Sequence, residues 1–488
     1  MLASVRPLEM VVGRCKKGYI LSSSKIRYHA VSRGDMGEMP VKQEGAAEKQ
    51  TRWTRRQLQV LLLLQLIFVI DGIDTQILAV ALPAIVADWR LPLADFGIAM
   101  AAGHAGAFVG TPIAGILGDR FGRKPVLVGG TLLFSMMTLA LAMAREPTHL
   151  AGLRFVAGLG LGGCIPPALA LLTESMPGRR RGLCVALSMV CPPIGIALAG
   201  LLAKWLIPAL GWGNLFMLCG MAPLAAAVLL FLFLSESPAY LALKGDRPER
   251  LAALLAALNL PAPAENPGDK DPGLAQSLST IFAVPRRTAV LGLFLAFFFI
   301  YLAMSLVLGW LPSMLASNGY SLALASTSTS VFALAGIIGV LLTGWAIVAR
   351  GERVVANALM AGGITIALLL SIGLPPPAAF GSASAMLLFG LLALEGMAMN
   401  GLITALYTGA SGTFPPRVRS SGIGLASTLG RLGAMCGGLI GPLAIGHGGV
   451  ARYCLVLGGL LLFAALGFNL RKPNQSQSSP PGRRIEQS

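Results

Sequence analysis

Two aspartates three residues apart, in Asp71-Gly-Ile-Asp74, lie deep inside a long apolar run, and Arg154, Glu395 and Arg431 fall inside three others. A charged group in hydrocarbon costs about 2.5–3.5 kcal/mol on insertion scales, so such groups usually line an interior path. A separation of three places both carboxylates on one helical face, and Gly72 between them leaves room for a substrate or a second helix. Two adjacent carboxylates in a low-dielectric site resist ionising together. A group that gains and loses a proton is what proton coupling requires. The plainer reading is that one aspartate caps a broken helix or pairs with an arginine.

The cations invite the complementary chemistry. Arg154 stands about one turn into its run. Its guanidinium can grip a carboxylate bidentately, either a ligand's or that of Asp74, or can snorkel to the surface. Arg431, in Thr428-Leu-Gly-Arg-Leu-Gly433, is a mid-run cation. Glu395 lies 241 positions after Arg154 and either serves as a ligand or satisfies Arg431. The five formal charges sum to −1, so one proton would neutralise the set. His104 reads as an interior histidine rather than a relay. Phe68, Phe155, Tyr301, Trp310 and Tyr407 could wall a pocket for a flat ring. Trp310 and Trp345 fall near the ends of their runs, where interfacial anchoring is the default.

What must position these groups is a bundle of helices in lipid. The 488 residues are 55% hydrophobic and only 12% charged, against about 25% charged in soluble chains. Twelve apolar runs of roughly twenty residues match a ~30 Å hydrocarbon core. The expected fold is therefore an all-α integral membrane protein with twelve transmembrane helices in two pseudo-symmetric six-helix bundles. The net charge of +17 does not indicate nucleic acid, because the cations sit in short loops between apolar runs. Seven cysteines without C-x-x-C spacing suggest neither a disulfide frame nor a zinc site. No H-E-x-x-H, nucleophile elbow or phosphate loop is present, so an enzyme is not expected and no cofactor is called for.

The organisation along the chain follows. Residues 1–57 form an N-terminal segment in which Met36 or Met39 is an alternative start; 58–234 make the first bundle and 235–286 a central loop. The second bundle is 287–470 and a tail occupies 471–488. The fourth run is read as a span over roughly 150–173. Loops after even-numbered runs hold most of the lysines and arginines, among them Arg179 to Arg181, Arg350, Arg353, Arg417 and Arg419. That asymmetry places both termini and the central loop in the cytoplasm. The halves read as repeats. Pro83 and Pro312, 229 positions apart, close matching runs, and Pro177-Gly-Arg-Arg-Arg-Gly182 has a counterpart in Pro415-Pro-Arg-Val-Arg419. Parallel repeats with a site at their midplane interface are a known transporter layout.

Between the second and third runs lies Gly115-Ile-Leu-Gly-Asp-Arg-Phe-Gly-Arg-Lys-Pro-Val-Leu127, a charged turn too short for a domain. Gly115 and Gly118 permit close packing, while Asp119 can accept from loop amides and from Arg123. Glu174 is a second partner for Arg120, Arg123 and Lys124, and Gly122 bounds the turn. Such a cluster can latch one orientation of the halves and break in the other. The plainer reading is that these cations obey topology and meet anionic lipid; Asp119 argues against it, since topology needs no acid there.

This turn resembles, almost residue for residue, the loop after the second helix in the major facilitator superfamily of transporters. Asp71-Gly-Ile-Asp74, Arg154-Phe155 before Gly158-Leu-Gly-Leu-Gly-Gly163, Glu174, and Trp205-Leu-Ile-Pro-Ala-Leu-Gly-Trp212 narrow the resemblance. So do Ser235-Glu-Ser-Pro238, Trp310-Leu-Pro312, Arg419-Ser-Ser-Gly-Ile-Gly424 and Gly430-Arg-Leu-Gly433. Together, from about residue 58 to 445, they are similar to the aromatic acid:proton symporter family of bacteria. The resemblance implies inner-membrane uptake of a hydroxybenzoate or hydroxyphenylpropionate by a monomer, with Asp71 and Asp74 needed for transport and Asp119 in a gating loop. Arg154, Arg431, Glu395, Tyr301 and Tyr407 are the candidate substrate ligands. Asn214 departs from the pattern, where the family often has arginine. Cys191-Pro-Pro-Ile-Gly195 resembles, loosely, a bend of drug:proton antiporters. The rivals are therefore an exporter working by proton antiport and a non-transporting membrane sensor.

Overall fold

The computed structural model describes residues 53–244, 248–261, 282, 287–373, 381–414, 418–446 and 449–470. The segment before Trp53, the stretch Glu265 to Pro272 within the central loop, and the tail after Leu470 lie outside the described residues.

The first half comprises α1 (Arg55–Trp89), a 3-10 turn (Leu93–Phe96), α2 (Gly97–Phe121) and α3 (Arg123–Leu141). It continues with α4 (Pro147–Gly162), α5 (Ile165–Glu174), α6 (Gly178–Leu210) and α7 (Trp212–Phe233). Two short helices follow, α8 (Pro238–Lys244) and α9 (Pro248–Leu258). The second half is α10 (Arg287–Ser317), α11 (Leu322–Arg350), α12 (Glu352–Gly373), α13 (Ser382–Thr413), α14 (Arg419–Ile445) and α15 (Gly449–Asn469). Twelve stretches are long and apolar enough to cross a membrane, with α4 and α5 counting as one. The fourth span, read over roughly 150–173, is made of two helices in line. It breaks at Gly163 and Cys164, where glycine weakens the helix and Pro166 and Pro167 supply no N–H donors; prolines in a first turn suit the restart.

Packing repeats between the halves. In the first, α1 packs on α6 and α7, α2 on α4, and α3 on α7. In the second, α10 packs on α14 and α15, α11 on α13, and α12 on α15. The halves meet where α2 crosses α14, α6 crosses α11 and α1 crosses α10. With no hydrophobic drive between helices in lipid, close backbone approach carries this packing. A Cβ at Gly72 would lie 2.0 Å from the Pro192 carbonyl oxygen, and one at Gly195 would lie 2.0 Å from that of Val69. The glycine between the two aspartates therefore serves the α1–α6 crossing, and so does the Pro-Pro-Ile-Gly bend of α6.

Contacts between the halves gather toward the membrane end where α1 finishes and α2 begins. There the Gln76 amide donates to the Leu308 carbonyl at 2.7 Å, the Ser330 hydroxyl donates to that of Ala197 at 2.9 Å, and Gly438 presses on Ala101. Toward the basic end a Cβ at Gly115, Gly344 or Gly424 would meet nothing within 4 Å. Trp310 is no interfacial anchor. It is fully buried and its indole N–H donates to the Gly437 carbonyl at 3.2 Å, locking α10 to α14. Trp345, 69% exposed, is placed as expected of a surface aromatic.

Candidate functional site

The α1 aspartates, read from sequence as a pair, have separate environments. Asp74 is 4% exposed and forms an ion pair with Arg154, its Oδ2 2.9 Å from Nη1. The same Nη1 donates to the Asp74 carbonyl at 3.2 Å, and the Thr138 hydroxyl donates to Oδ1 at 3.1 Å. Thus α1, α3 and α4 converge on one carboxylate. Asp71, one turn nearer the basic end, enters none of the ion pairs among the described residues, although Asp74 and Arg431 are within electrostatic reach. Arg154 does not snorkel; it is 8% exposed.

Asp74 occupies one corner of the guanidinium, and the other edge packs against α2 without a hydrogen bond among the described residues. The Arg154 Nε is buried and has no hydrogen-bond partner, and among the described residues Nη2 makes no hydrogen bond. Gly103 on α2 faces this edge: a Cβ there would lie 3.1 Å from Nη2 and 3.4 Å from Nε. An Nε–Nη2 edge presents two parallel donors, the geometry that takes a carboxylate bidentately.

Arg154 borders a cavity of about 170 Å³ at the seam of the halves. Thr75 and Leu78 from α1, with Met100 and His104 from α2, complete the first-half wall. The second half contributes Tyr301, Met304, Ser305, Leu308 and Gly309 from α10 and Ala434 and Gly438 from α14. Tyr301 is held from behind, its hydroxyl 3.1 Å from that of Tyr407 and its ring stacked on Phe297 at 6.2 Å. Of the five aromatics singled out from sequence, Tyr301 borders this cavity. Phe68 is buried among first-half side chains and Phe155 is 37% exposed.

Arg431 and Glu395 are not brought together. Arg431 reaches across the seam: its Nη1 donates to the Ala107 carbonyl at 3.0 Å and to the Thr111 hydroxyl. It ties α14 to α2 rather than bordering the cavity. Glu395 is 1% exposed and neither carboxylate oxygen has a hydrogen-bond partner. It faces a separate small apolar hollow inside the second half, beside Val307, Leu392, Tyr453 and Cys454. The structure therefore separates Glu395 both from the guanidinium it was expected to satisfy and from the substrate ligands it was grouped with.

At the basic end, Arg123 bridges Asp119 at 2.5 Å and Glu174 at 3.8 Å, joining the tip of α2 to the end of α5. Glu174 also accepts from the Ser237 hydroxyl. Glu236 was missed from sequence. Its Oε1 accepts from the backbone N–H groups of Arg123 at 2.9 Å and Lys124 at 3.1 Å, capping α3. A carboxylate at a helix N-terminus meets the unpaired amides and the positive end of the dipole. Gly122 has φ +105, and a Cβ there would lie 2.4 Å from Glu236 Oε2, so no other residue suits this corner. Every described partner of the cluster belongs to the first half or the segment just after α7. As a direct latch between halves it has no described counterpart.

Several residues around the site carried weak sequence signals or none. Thr138 belongs to a polar stripe with Thr131 and Ser135 at helical spacing, all three fully buried, and that periodicity was available to find it. Gly103, Met100 and Met304 had none.

The profile of the Major Facilitator Superfamily matches residues 64–393 and 293–487. A gallate transporter of Pseudomonas putida is 35% identical over 416 residues, covering 84% of this chain and 90% of that protein. The 4-hydroxybenzoate transporter PcaK of Acinetobacter baylyi is 30% identical, with 84% and 90% covered. The 3-(3-hydroxy-phenyl)propionate transporter of Escherichia coli is 30% identical, with 85% and 94% covered. Among solved structures, the xylose transporter XylE of E. coli in a partially occluded inward-open conformation superposes with TM-score 0.67 at 16% identity, covering 87% of this chain and 99% of that one. A bacterial homologue of the human lysosomal transporter Spinster, inward-facing and unoccupied, gives 0.66 at 18% identity, covering 86% and 96%. A twelve-span fold with mirrored helix pairing, a seam cavity and this profile together make the chain a member of the major facilitator superfamily.

Proposed function

We propose that this protein imports a small aromatic carboxylate together with a proton across the bacterial inner membrane, as a monomer with both termini in the cytoplasm. The observation that carries the reading is the seam cavity, walled by both halves, with Arg154 on its border. Arg154 supplies positive charge toward a carboxylate, and Met100, Met304 and Leu308 supply an apolar bed for a ring. The relatives named for gallate, 4-hydroxybenzoate and 3-(3-hydroxy-phenyl)propionate support the same chemistry.

Within this reading the aspartates divide the work. Asp74 positions Arg154 at the cavity border. Asp71, outside any ion pair, takes up the proton. Arg431 ties the halves together through Ala107 and Thr111 and must release them when the halves rock.

The test is uptake into proteoliposomes under an imposed pH gradient. Aromatic acid and protons should enter together, and Asp71→Asn should abolish accumulation while downhill exchange persists. Opposite movement of acid and proton would make the protein an antiporting exporter, and indifference to the gradient would remove proton coupling.

A further inference from the structure

Resting on the seam cavity as the substrate site, we infer that Thr75 and His104 form a hydroxyl-reading pair there, so that the protein selects aromatic acids with a ring hydroxyl over those with a bare ring. The polar groups of the cavity wall are the first argument. The Ser305 hydroxyl is engaged with the Ala434 carbonyl at 2.7 Å and the Tyr301 hydroxyl with that of Tyr407 at 3.1 Å, while Arg154 Nη1 donates to Asp74 at 2.9 Å. Thr75 and His104 border the same cavity, half-buried, and among the described residues neither side chain makes a hydrogen bond. The polar atoms sealed away without a partner are others, Arg154 Nε and Gln76 Oε1 among them. The Thr75 hydroxyl and the two His104 ring nitrogens therefore stay accessible.

Their place in the chain is the second argument. Each follows a residue that touches Arg154: Asp74 pairs with it, and a Cβ on Gly103 would lie 3.1 Å from its Nη2. One contact on α1 and one on α2 thus fix the backbone that carries the pair.

The chemistry of the pair is the third argument. A hydroxyl and a neutral imidazole each offer one donor and at least one acceptor. A phenol also donates and accepts, so one ring hydroxyl can satisfy both residues. A carboxylate only accepts, and its counter-charge comes from Arg154, with Arg431 also in electrostatic reach of the His104 ring. The pair therefore adds discrimination rather than charge. Space makes a mismatch costly. An apolar cavity of about 150 Å³ admits benzene, and this one is about 170 Å³. A bound ring leaves little room for water, so a bare ring strands the Thr75 hydroxyl and the imidazole without partners, and a site left with unpaired polar groups rejects the analogue.

The experiment uses the full-length protein in liposomes, with bound radiolabelled 4-hydroxybenzoate displaced by unlabelled 4-hydroxybenzoate, 3-hydroxybenzoate or benzoate. Wild type should bind the better hydroxylated acid at least about tenfold more tightly than benzoate. Thr75→Val and His104→Phe should each shrink that ratio severalfold by weakening the hydroxylated acid more than benzoate. His104→Gln, which keeps a donor and an acceptor, should retain more of the ratio than His104→Phe. Equal binding of benzoate and both hydroxylated acids by wild type would overturn the inference while leaving aromatic acid transport intact. So would a ratio unchanged in both Thr75→Val and His104→Phe, even with all affinities lowered, since that is what a carboxylate contact or a packing role gives. Failure of all three acids to bind wild type would overturn the proposed function as well.

Discussion

The Asp74–Arg154 pair offers the most demanding test, because its energetic sign depends on burial. Both side chains are at least nine-tenths buried, the pair closes at 2.9 Å, and Thr138 satisfies the second carboxylate oxygen. Removing one partner of such a pair leaves an uncompensated charge away from water and costs about 3–5 kcal/mol. Asp74→Asn strands the guanidinium; Arg154→Gln strands the carboxylate. The double variant strands neither, since an amide pair can still hydrogen-bond and Thr138 can still donate. If each single change costs about 4 kcal/mol and the double change about as much as one of them, the coupling is about 4 kcal/mol, nearly a thousandfold in the folding equilibrium. The assay is unfolding by denaturing detergent for the wild type and three variants. Stability changes that add within about 0.5 kcal/mol would refute the argument, because they would mean the charges do not face each other out of water. Transport separates position from stability: the double variant should recover folding but not uptake, since the positive charge at the cavity border is gone.

Three further outcomes follow from single contacts. Gly72→Ala and Gly72→Val should both prevent accumulation of folded protein in the membrane, since the first added carbon meets the Pro192 carbonyl oxygen at 2.0 Å; normal membrane levels would show that α1 and α6 do not cross here. Glu236→Ala should lower stability by about 1–2 kcal/mol through loss of the α3 cap, read by the same detergent unfolding, with Glu236→Gln intermediate. Glu395→Gln should leave the affinity for 4-hydroxybenzoate unchanged within twofold, because the carboxylate faces a hollow inside the second half; a large loss of affinity would place it on the substrate path after all.

Much was legible in the chain itself. Apolar runs of membrane-spanning length, separated by basic turns, specify twelve helices because hydrocarbon leaves the backbone no other partner for its polar groups. The expense of burying charge marked Asp71, Asp74, Arg154, Glu395 and Arg431 as the residues to explain, and the acid in the basic turn marked Asp119 and Arg123 as a pair. Those are local or compositional facts, set by residue type and spacing along one strand of chain. Which charge meets which is a different matter. Their spacing suggested that Asp71 and Asp74 act as a pair, yet α3 and α4 enclose one and leave the other outside the ion pairs among the described residues. The sequence offered Arg431 as one partner for Glu395, yet α13 turns Glu395 to an apolar hollow while Arg431 crosses to α2. Gly103 against Arg154, Thr138 on Asp74 and Met304 in the cavity wall could not be assembled from sequence, since nothing in it brings α2, α3 and α10 together. Helices in lipid are fixed by their own hydrogen bonds, but their mutual rotation is decided by side-chain packing between segments distant in sequence, and that rotation chooses which groups face one another.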